Sequence, residues 1–409
     1  MQLTVNTDNT NEKNTPLILV NAATLLIGGG IQVGLSFIEH ASRLKSGQLD
    51  FIFVVSQAVY DSLSVNLQND KRTILCPVSP AGILNGKKSR SFLKKIEKDY
   101  KPDIIYSLGF PSYVRFTTVE IGKYTNPWEI NSPPLPWHTL TFKQKVRMFL
   151  MIQYRLLWAR RAKYFETQTA AAKIGIVKRL KVPGSCVKVI PNSPNPLFIN
   201  EAAAARQREE DETIYIFCLS AAYRHKNLDL IPKVAAYLKT NNFPNCKFIL
   251  TIPKDGEINT EIAAASQQLG VSDMVINTGP IKLQECLHWY KKADAVFLPT
   301  LLEVFSATYV EAMAMARPIV TTDLDFAHDV CGDAALYFKP ADAVSAAEAL
   351  IKLFNDKELG NQLTERGQNQ LALFPNPEHK HQMIFDWLYS IAGNAPLPTI
   401  KNFPYTTAK

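Results

Sequence analysis

Short apolar runs alternate with amphipathic stretches along most of this chain. LILVNAATLL (Leu17 to Leu26), DFIFVVS (Asp50 to Ser56), RTILCPV (Arg72 to Val78) and DIIYSL (Asp103 to Leu108) read as buried strands. Helical patterns such as SRSFLKKIEKDY lie between them. A second set follows: IYIFCLSA (Ile214 to Ala221), KFILTI (Lys247 to Ile252), MVINTG (Met274 to Gly279), ADAVFLPT (Ala293 to Thr300) and PIVTTD (Pro318 to Asp323). Further helices are expected from Ala341 to about Ala392. Strands alternating with helices predict a doubly wound α/β architecture, here in two halves. No solenoid-type repeat is present.

Between the halves the pattern is less regular. Asn126 to Trp137 (NPWEINSPPLPW) is rich in proline and reads as a loop. Phe142 to Tyr164 reads as one long helix carrying both aromatic and basic side chains. VKVIPNSPNPLF (Val187 to Phe198) reads as a strand entering a proline-rich turn, and Asn200 to Glu212 as an exposed linker or short helix. The expected division is a disordered lead over 1–15, an N-terminal domain over 16–190, a junction over 191–212, a C-terminal domain over 213–385 and a tail over 386–409.

Composition narrows the partners. The formal charge of +8 suits anionic ones: nucleotide-sugars, acidic lipid surfaces or nucleic acid. No RRM, KH or helix-turn-helix signature supports nucleic acid. Cys76, Cys186, Cys218, Cys246, Cys286 and Cys331 are scattered, with neither C-x-x-C nor zinc-finger spacing, which fits a reducing cytoplasm and no disulfide framework. The polar start MQLTVNTDNTNEKNTP does not read as a signal peptide. No apolar run approaches the ~18 residues of a membrane span, so a cytoplasmic protein is expected, soluble or peripheral at the inner membrane face.

The densest candidate chemistry is EVFSATYVEAMAMARP, Glu303 to Pro318. It follows the ADAVFLPT strand, and AMAMA after Glu311 is strongly helix-forming until Pro318. Strand, polar loop and helix start make a place that holds phosphate, because the first helical N–H groups lack internal partners and the helix dipole favours an anion. Two other loops share this grammar. Gly28, Gly29 and Gly30 follow the first strand, as a ligand-approach loop or only a tight turn; the spacing is not G-x-G-x-x-G. AAYRHKNLDL (Ala221 to Leu230) places Lys226 after a strand, where it is either a solvent-facing helix-start lysine or a phosphate ligand.

Glu303, Phe305, Glu311 and EAMAMARPIVTTD resemble the E-x7-E signature of retaining glycosyltransferases of family 4, which have the GT-B fold of two Rossmann-like domains facing across a cleft. Val304, Ser306 and Arg317 stand where that family commonly has glycine. The resemblance implies a nucleotide-sugar donor and a glycan or lipid-linked acceptor, with no cofactor or metal required. It also assigns roles. Glu311 would hold the donor ribose. Glu303 would lie near the transferred sugar. The backbone of Ser306, Ala307 and Thr308 would meet the phosphates, and Lys226 would stabilise the leaving diphosphate. Gly29 and Gly30 belong to the loop that such enzymes often have after the first strand. The family's usual arginine falls on Ala221, with Arg224 nearby as a substitute. Its N-domain histidine is missing from Thr117 to Ile130, leaving Tyr124, Asn126 or Trp128 to act, with His138 a weaker option. His40 and His328 read as structural, and Asp323 and Asp325 as loop and capping residues. Those departures support one alternative, a GT-B-fold protein that binds a nucleotide-sugar or glycan without catalysis. The Phe142 to Tyr164 helix and Lys87, Lys88, Arg90, Lys94, Lys95 and Lys98 are either solvated faces or contacts to an anionic membrane.

Overall fold

The computed structural model describes residues 15–26, 28–44, 48–130, 133–201 and 213–393. Residues 1–14 of the expected lead, 202–212 of the linker and 394–409 of the tail lie outside the described residues. The chain forms two compact units, and the described part of the first comprises 15–123, 161–163 and 383–393.

In the first unit β1 (Leu17–Ala22), β2 (Asp50–Val55), β3 (Thr73–Leu75), β4 (Ile104–Ser107) and β5 (Val119–Lys123) are parallel, in the order β3-β2-β1-β4-β5. Leu19 pairs with both Ile52 and Ile105. Both sheet faces are covered, which is why these strands are apolar runs rather than alternating ones. Leu19, Val54 and Ile105 pack with Leu93 and Ile96 of the Lys87–Tyr100 helix. Phe37 and Phe51 pack with Phe385, near the end of the last helix, which clusters with this unit.

In the second unit β6 (Tyr164–Thr167) pairs with β7 (Val187–Val189). A separate parallel sheet is built from β8 (Ile214–Cys218), β9 (Cys246–Leu250), β10 (Val275–Asn277), β11 (Ala295–Leu298), β12 (Ile319–Thr322) and β13 (Ala335–Phe338). Its order is β10-β9-β8-β11-β12-β13. Renumbered from its own start, that is the 3-2-1-4-5-6 order of a dinucleotide-type fold. Successive residues serve opposite faces: Ile216 packs with Phe248 and Phe297, while Phe217 packs with Tyr290.

Two expectations are corrected. Asn126 to Trp137 is not all loop, because Pro127–Ile130 and Pro134–His138 are short helices. A proline at the first helical position sets φ without losing a needed hydrogen bond, and Asn126 Oδ1 accepts from Trp128 N at 3.1 Å. The long helix runs only from Phe142 to Ala159. It starts on a capping box of Thr141 and Gln144, and it stops because Tyr164–Thr167 pairs with β7 and buries Phe165 completely.

Candidate active site

An open parallel sheet binds ligands beyond the carboxyl ends of its strands, where the strand order reverses. In the second unit that point lies between β8 and β11, which are neighbours (Val296 opposite Phe217) but leave the sheet in opposite directions. The loops that follow them carry Lys226 and Glu303.

The two loops are tied together by hydrogen bonds to backbone carbonyls. Leu301 N donates to His225 O at 2.8 Å and Asn227 Nδ2 to Pro299 O at 3.2 Å. Arg224–Lys226 is a single 3-10 turn, closed by Asn227 in the left-handed region at φ 55°. Lys226 Nζ forms an ion pair with Glu303 Oε1, and both side chains are largely shielded, at 16% and 13% exposure. Lys226 is therefore a placed cation facing the motif glutamate, not a solvent-facing lysine at a helix start.

After Glu303 the chain buries Val304 and reaches Ser306, the N-cap of the Ala307–Ala314 helix. Glu311 does not open this helix as the sequence suggested. Ala307 does, and Glu311 is its fifth residue. One turn and a residue inside, its carboxylate accepts from the Tyr290 hydroxyl at 2.9 Å. Burial pushes the Glu311 carboxyl up to about 7, with the tyrosine bond opposing. Arg317, where a glycine was expected, is buried and donates from Nε to Tyr290 O at 2.6 Å. It thereby braces the tyrosine that orients Glu311. Backbone N–H groups of Ala307 and Thr308 lie in the first turn, where helical partners are lacking.

Arg224 is committed to Glu261 and Glu257, and these bonds raise its pKa further; Nη2 meets Glu261 Oε1 at 2.7 Å. It does not join Lys226 and Glu303 as a replacement for the arginine missing at Ala221. Tyr124 is wholly buried with its hydroxyl on Glu129 at 2.6 Å. Asn126 caps Trp128 N, and the Trp128 indole donates to His225 Nδ1 at 3.3 Å. The Tyr124 hydroxyl, Asn126 Oδ1 and the Trp128 indole N–H are thus engaged within the protein. Gly29 and Gly30 are the first two residues of the Gly29–Ser42 helix in the first unit, preceded by Gly28 at φ 71°. His328 Nε2 lies 2.7 Å from Asp323 Oδ1 and rests on the Tyr337 ring. Arg90 is spent on the carbonyls of Pro80, Gly82 and Ile83, which removes it from the lysine cluster. Among the described residues no three His, Cys, Asp or Glu side chains gather as a metal-binding group. All six cysteines are free thiols.

Sequence reasoning missed His225 and Tyr290. Only adjacency to Lys226 pointed to the first, and nothing local pointed to the second.

Residues 200–370 match the family model of the glycosyl transferases group 1, so the chain carries that domain around the Lys226–Glu303–Glu311 constellation. Over 252 residues it is 26% identical to the O-antigen chain mannosyltransferase RfbU of Salmonella typhimurium, covering 61% of this chain. The match spans 65% of that relative, just under two thirds of its length. A glycosyltransferase of Rickettsia africae superposes with a TM-score of 0.68 at 14% identity, over 93% of this chain and 100% of that one. Anabaena HepE, solved with UDP and glucose, gives 0.64 at 14% identity, over 92% and 100%. The architecture is GT-B.

Proposed function

We propose that this chain is a glycosyltransferase that moves a sugar from a nucleotide-sugar donor to a glycan or lipid-linked acceptor in cell-surface polysaccharide synthesis. The observation that carries this reading is the Lys226–Glu303 ion pair at the strand-order reversal, eight residues before Glu311. Transfer from a nucleotide-sugar builds negative charge on the leaving diphosphate, and a fixed cation with helix-start N–H groups is what stabilises such charge. Lys226 leaves Glu303 for the diphosphate as the donor enters. Glu303, released, turns to the sugar and its developing positive charge. Glu311 accepts from the vicinal ribose hydroxyls, with Tyr290 fixing its second oxygen. The likeness to an O-antigen mannosyltransferase supports a surface glycan as product, and HepE, solved with UDP and glucose, supports a nucleotide diphosphate in this fold.

The finer reading is a retaining reaction of the family 4 type that needs no divalent metal. The test is turnover of a panel of UDP-, GDP- and ADP-hexoses, with and without EDTA, and the product anomer read by NMR. Retained configuration and EDTA-resistant turnover are expected. Binding without turnover of any donor would move the assignment to a non-catalytic binding protein.

The anionic membrane belongs to this proposal through the Phe142–Ala159 helix. Phe142 is 83% exposed, and Val146, Phe149, Leu150 and Leu157 are exposed on the same stripe. The helix offers Lys143, Lys145 and Arg147 and has no acid, while Arg155 is paired with the buried Glu129. Exposed apolar rings flanked by cations fit an anionic bilayer surface, each nearby cation adding about 1 kcal/mol. Among the described residues no helix is long and apolar enough to cross a membrane. Co-sedimentation with anionic but not neutral vesicles, weakened by salt and by Phe149→Asp, is expected. Equal recovery in the supernatant under all conditions would remove the membrane from the proposal.

A further inference from the structure

His225 is held from several sides at once. The Tyr223 ring stacks on its imidazole at 5.5 Å with an 8° interplanar angle, and Trp128 meets it edge-on at 5.7 Å. The Trp128 Nε1–H donates to Nδ1 at 3.3 Å, so Nδ1 is the acceptor and the proton of the neutral ring sits on Nε2. Burial, helped by the Lys226 charge, lowers the imidazole pKa to about 3 and keeps the ring neutral. The backbone of the same residue is fixed by Leu301 N at 2.8 Å and Thr300 Oγ1 at 3.4 Å.

The indole that reaches His225 stands on a braced support. Trp128 lies on the four-residue Pro127–Ile130 helix, too short to be stable alone. Its neighbour Glu129 is buried and accepts from the Tyr124 hydroxyl at 2.6 Å and from Arg155 Nε. Trp137 packs edge-on against Trp128 at 5.5 Å. A three-residue 3-10 turn such as Arg224–Lys226 likewise has little rigidity of its own. Its position is set by what it is bonded to.

We infer that the Trp128–His225 hydrogen bond is a strut that fixes the Lys226 turn opposite Glu303, which makes Trp128 and His225 positioning residues for the cation that meets the donor diphosphate. This rests on the diphosphate role proposed for Lys226. A displacement of about 1 Å in a catalytic group is enough to cost on the order of 10²-fold in rate, so a strut one residue away has leverage on turnover.

The test uses the full chain and whichever hexose donor of the UDP, GDP and ADP panel it turns over. Trp128→Phe keeps an aromatic ring for the edge-on contacts and deletes the N–H together with the pyrrole half of the indole. It should lower kcat by roughly 5- to 30-fold, the consequence of losing one buried hydrogen bond, with a smaller change in donor KM. His225→Leu should lose as much, and the double variant should be no worse than either single one, because both remove the same bond. His225→Asn places an acceptor near the Nδ1 position and should recover most of the loss. A merely structural role would lower the melting temperature without this kcat-selective pattern or the recovery by asparagine.

Folded Trp128→Phe and His225→Leu with kcat within about twofold of wild type would overturn the strut, provided Lys226→Ala is impaired. If His225→Leu does not fold, His225→Asn decides: kcat as low as that of Trp128→Phe contradicts the inference, because the acceptor is still present. Full activity of Lys226→Ala would instead overturn the diphosphate reading, and the two failures are thereby distinguished.

Discussion

Between β1 and β4 the first unit has its own reversal of strand order, and the loops there carry Thr24, Leu25, Gly28 to Gly30, and Leu108 to Ser112. These segments carry no charged residue, and Arg115, farther along the loop after β4, is exposed. Thr24 Oγ1 donates to Gly109 O at 2.5 Å, and a side chain at residue 109 would collide with Thr24. Beneath these loops Asn21 donates to Ser107, and Ser107 to Glu120 at 2.7 Å. Between β8 and β11 the same topology carries Lys226 paired with Glu303, and neutral His225 beside them. Topology provides an opening twice, but only the second opening has a placed cation. The buried carboxylates sharpen the point. Glu120 and Glu311 are both pushed up to about 7 by burial. Glu120 spends its bonds on Ser107 and Ser112 at the sheet, whereas Glu311 follows a helix start and a cation-bearing loop. A raised carboxyl pKa marks burial here, and the neighbours decide whether it marks a site.

The largest effect that would break this contrast is on turnover. Lys226→Ala should lower kcat on the order of 10²-fold, typical of removing one preorganised donor to developing charge, with a smaller loss of donor binding. Steady-state kinetics checks this, and Glu120→Gln is the counterpart, expected to leave kcat unchanged. Next is donor affinity. Glu311→Gln keeps the shape but loses a charged acceptor, so the affinity should fall by about 1.5–3 kcal/mol in a calorimetric titration.

The two carboxylates should then part in their pH dependence. For each, the folded pKa lies above the unfolded one, so the folded state holds a proton between about pH 4.5 and 7 that the unfolded chain has released. Ligand-free stability therefore falls as pH rises through that window, by up to about 3 kcal/mol per group, and is flat above it. Glu311→Gln and Glu120→Gln should each flatten this slope in denaturation series at pH 5 and pH 8. Donor affinity should rise with pH through about 7 in the wild type, because ribose hydroxyls favour the carboxylate. That rise should vanish in Glu311→Gln and persist in Glu120→Gln.

How much of this was legible follows from where each residue sits. Strands such as Leu17–Ala22 and Ala295–Leu298 announced themselves because both their faces are buried. β5 and β6 did not, since VEIGK and YFET carry charges whose burial depends on distant partners. Glu303 and Glu311 were readable from a local motif, and Lys226 from its place after a strand. The commitment of Arg224 to Glu257 and Glu261 was not, because those acids lie more than thirty residues away. Nor was the link from Trp128 to His225, which closes a separation of 97 residues.

The smallest effect concerns the glycines. Gly29 has open space where a side chain would go, so Gly29→Ala should not destabilise the fold, and thermal denaturation should show a change within roughly 1 kcal/mol. A loss of turnover in that folded variant would show that a ligand approaches the first opening after all.

The central claim, that the Lys226 turn and the Glu303–Glu311 segment hold the donor at the second opening, is tested most directly by amide hydrogen exchange with and without UDP, GDP or ADP. The account predicts slowed exchange in segments 223–228 and 300–311, lost in Lys226→Ala. Protection confined to 23–34 and 107–112, with 223–228 and 300–311 unaffected by any of the three nucleotides, would contradict it.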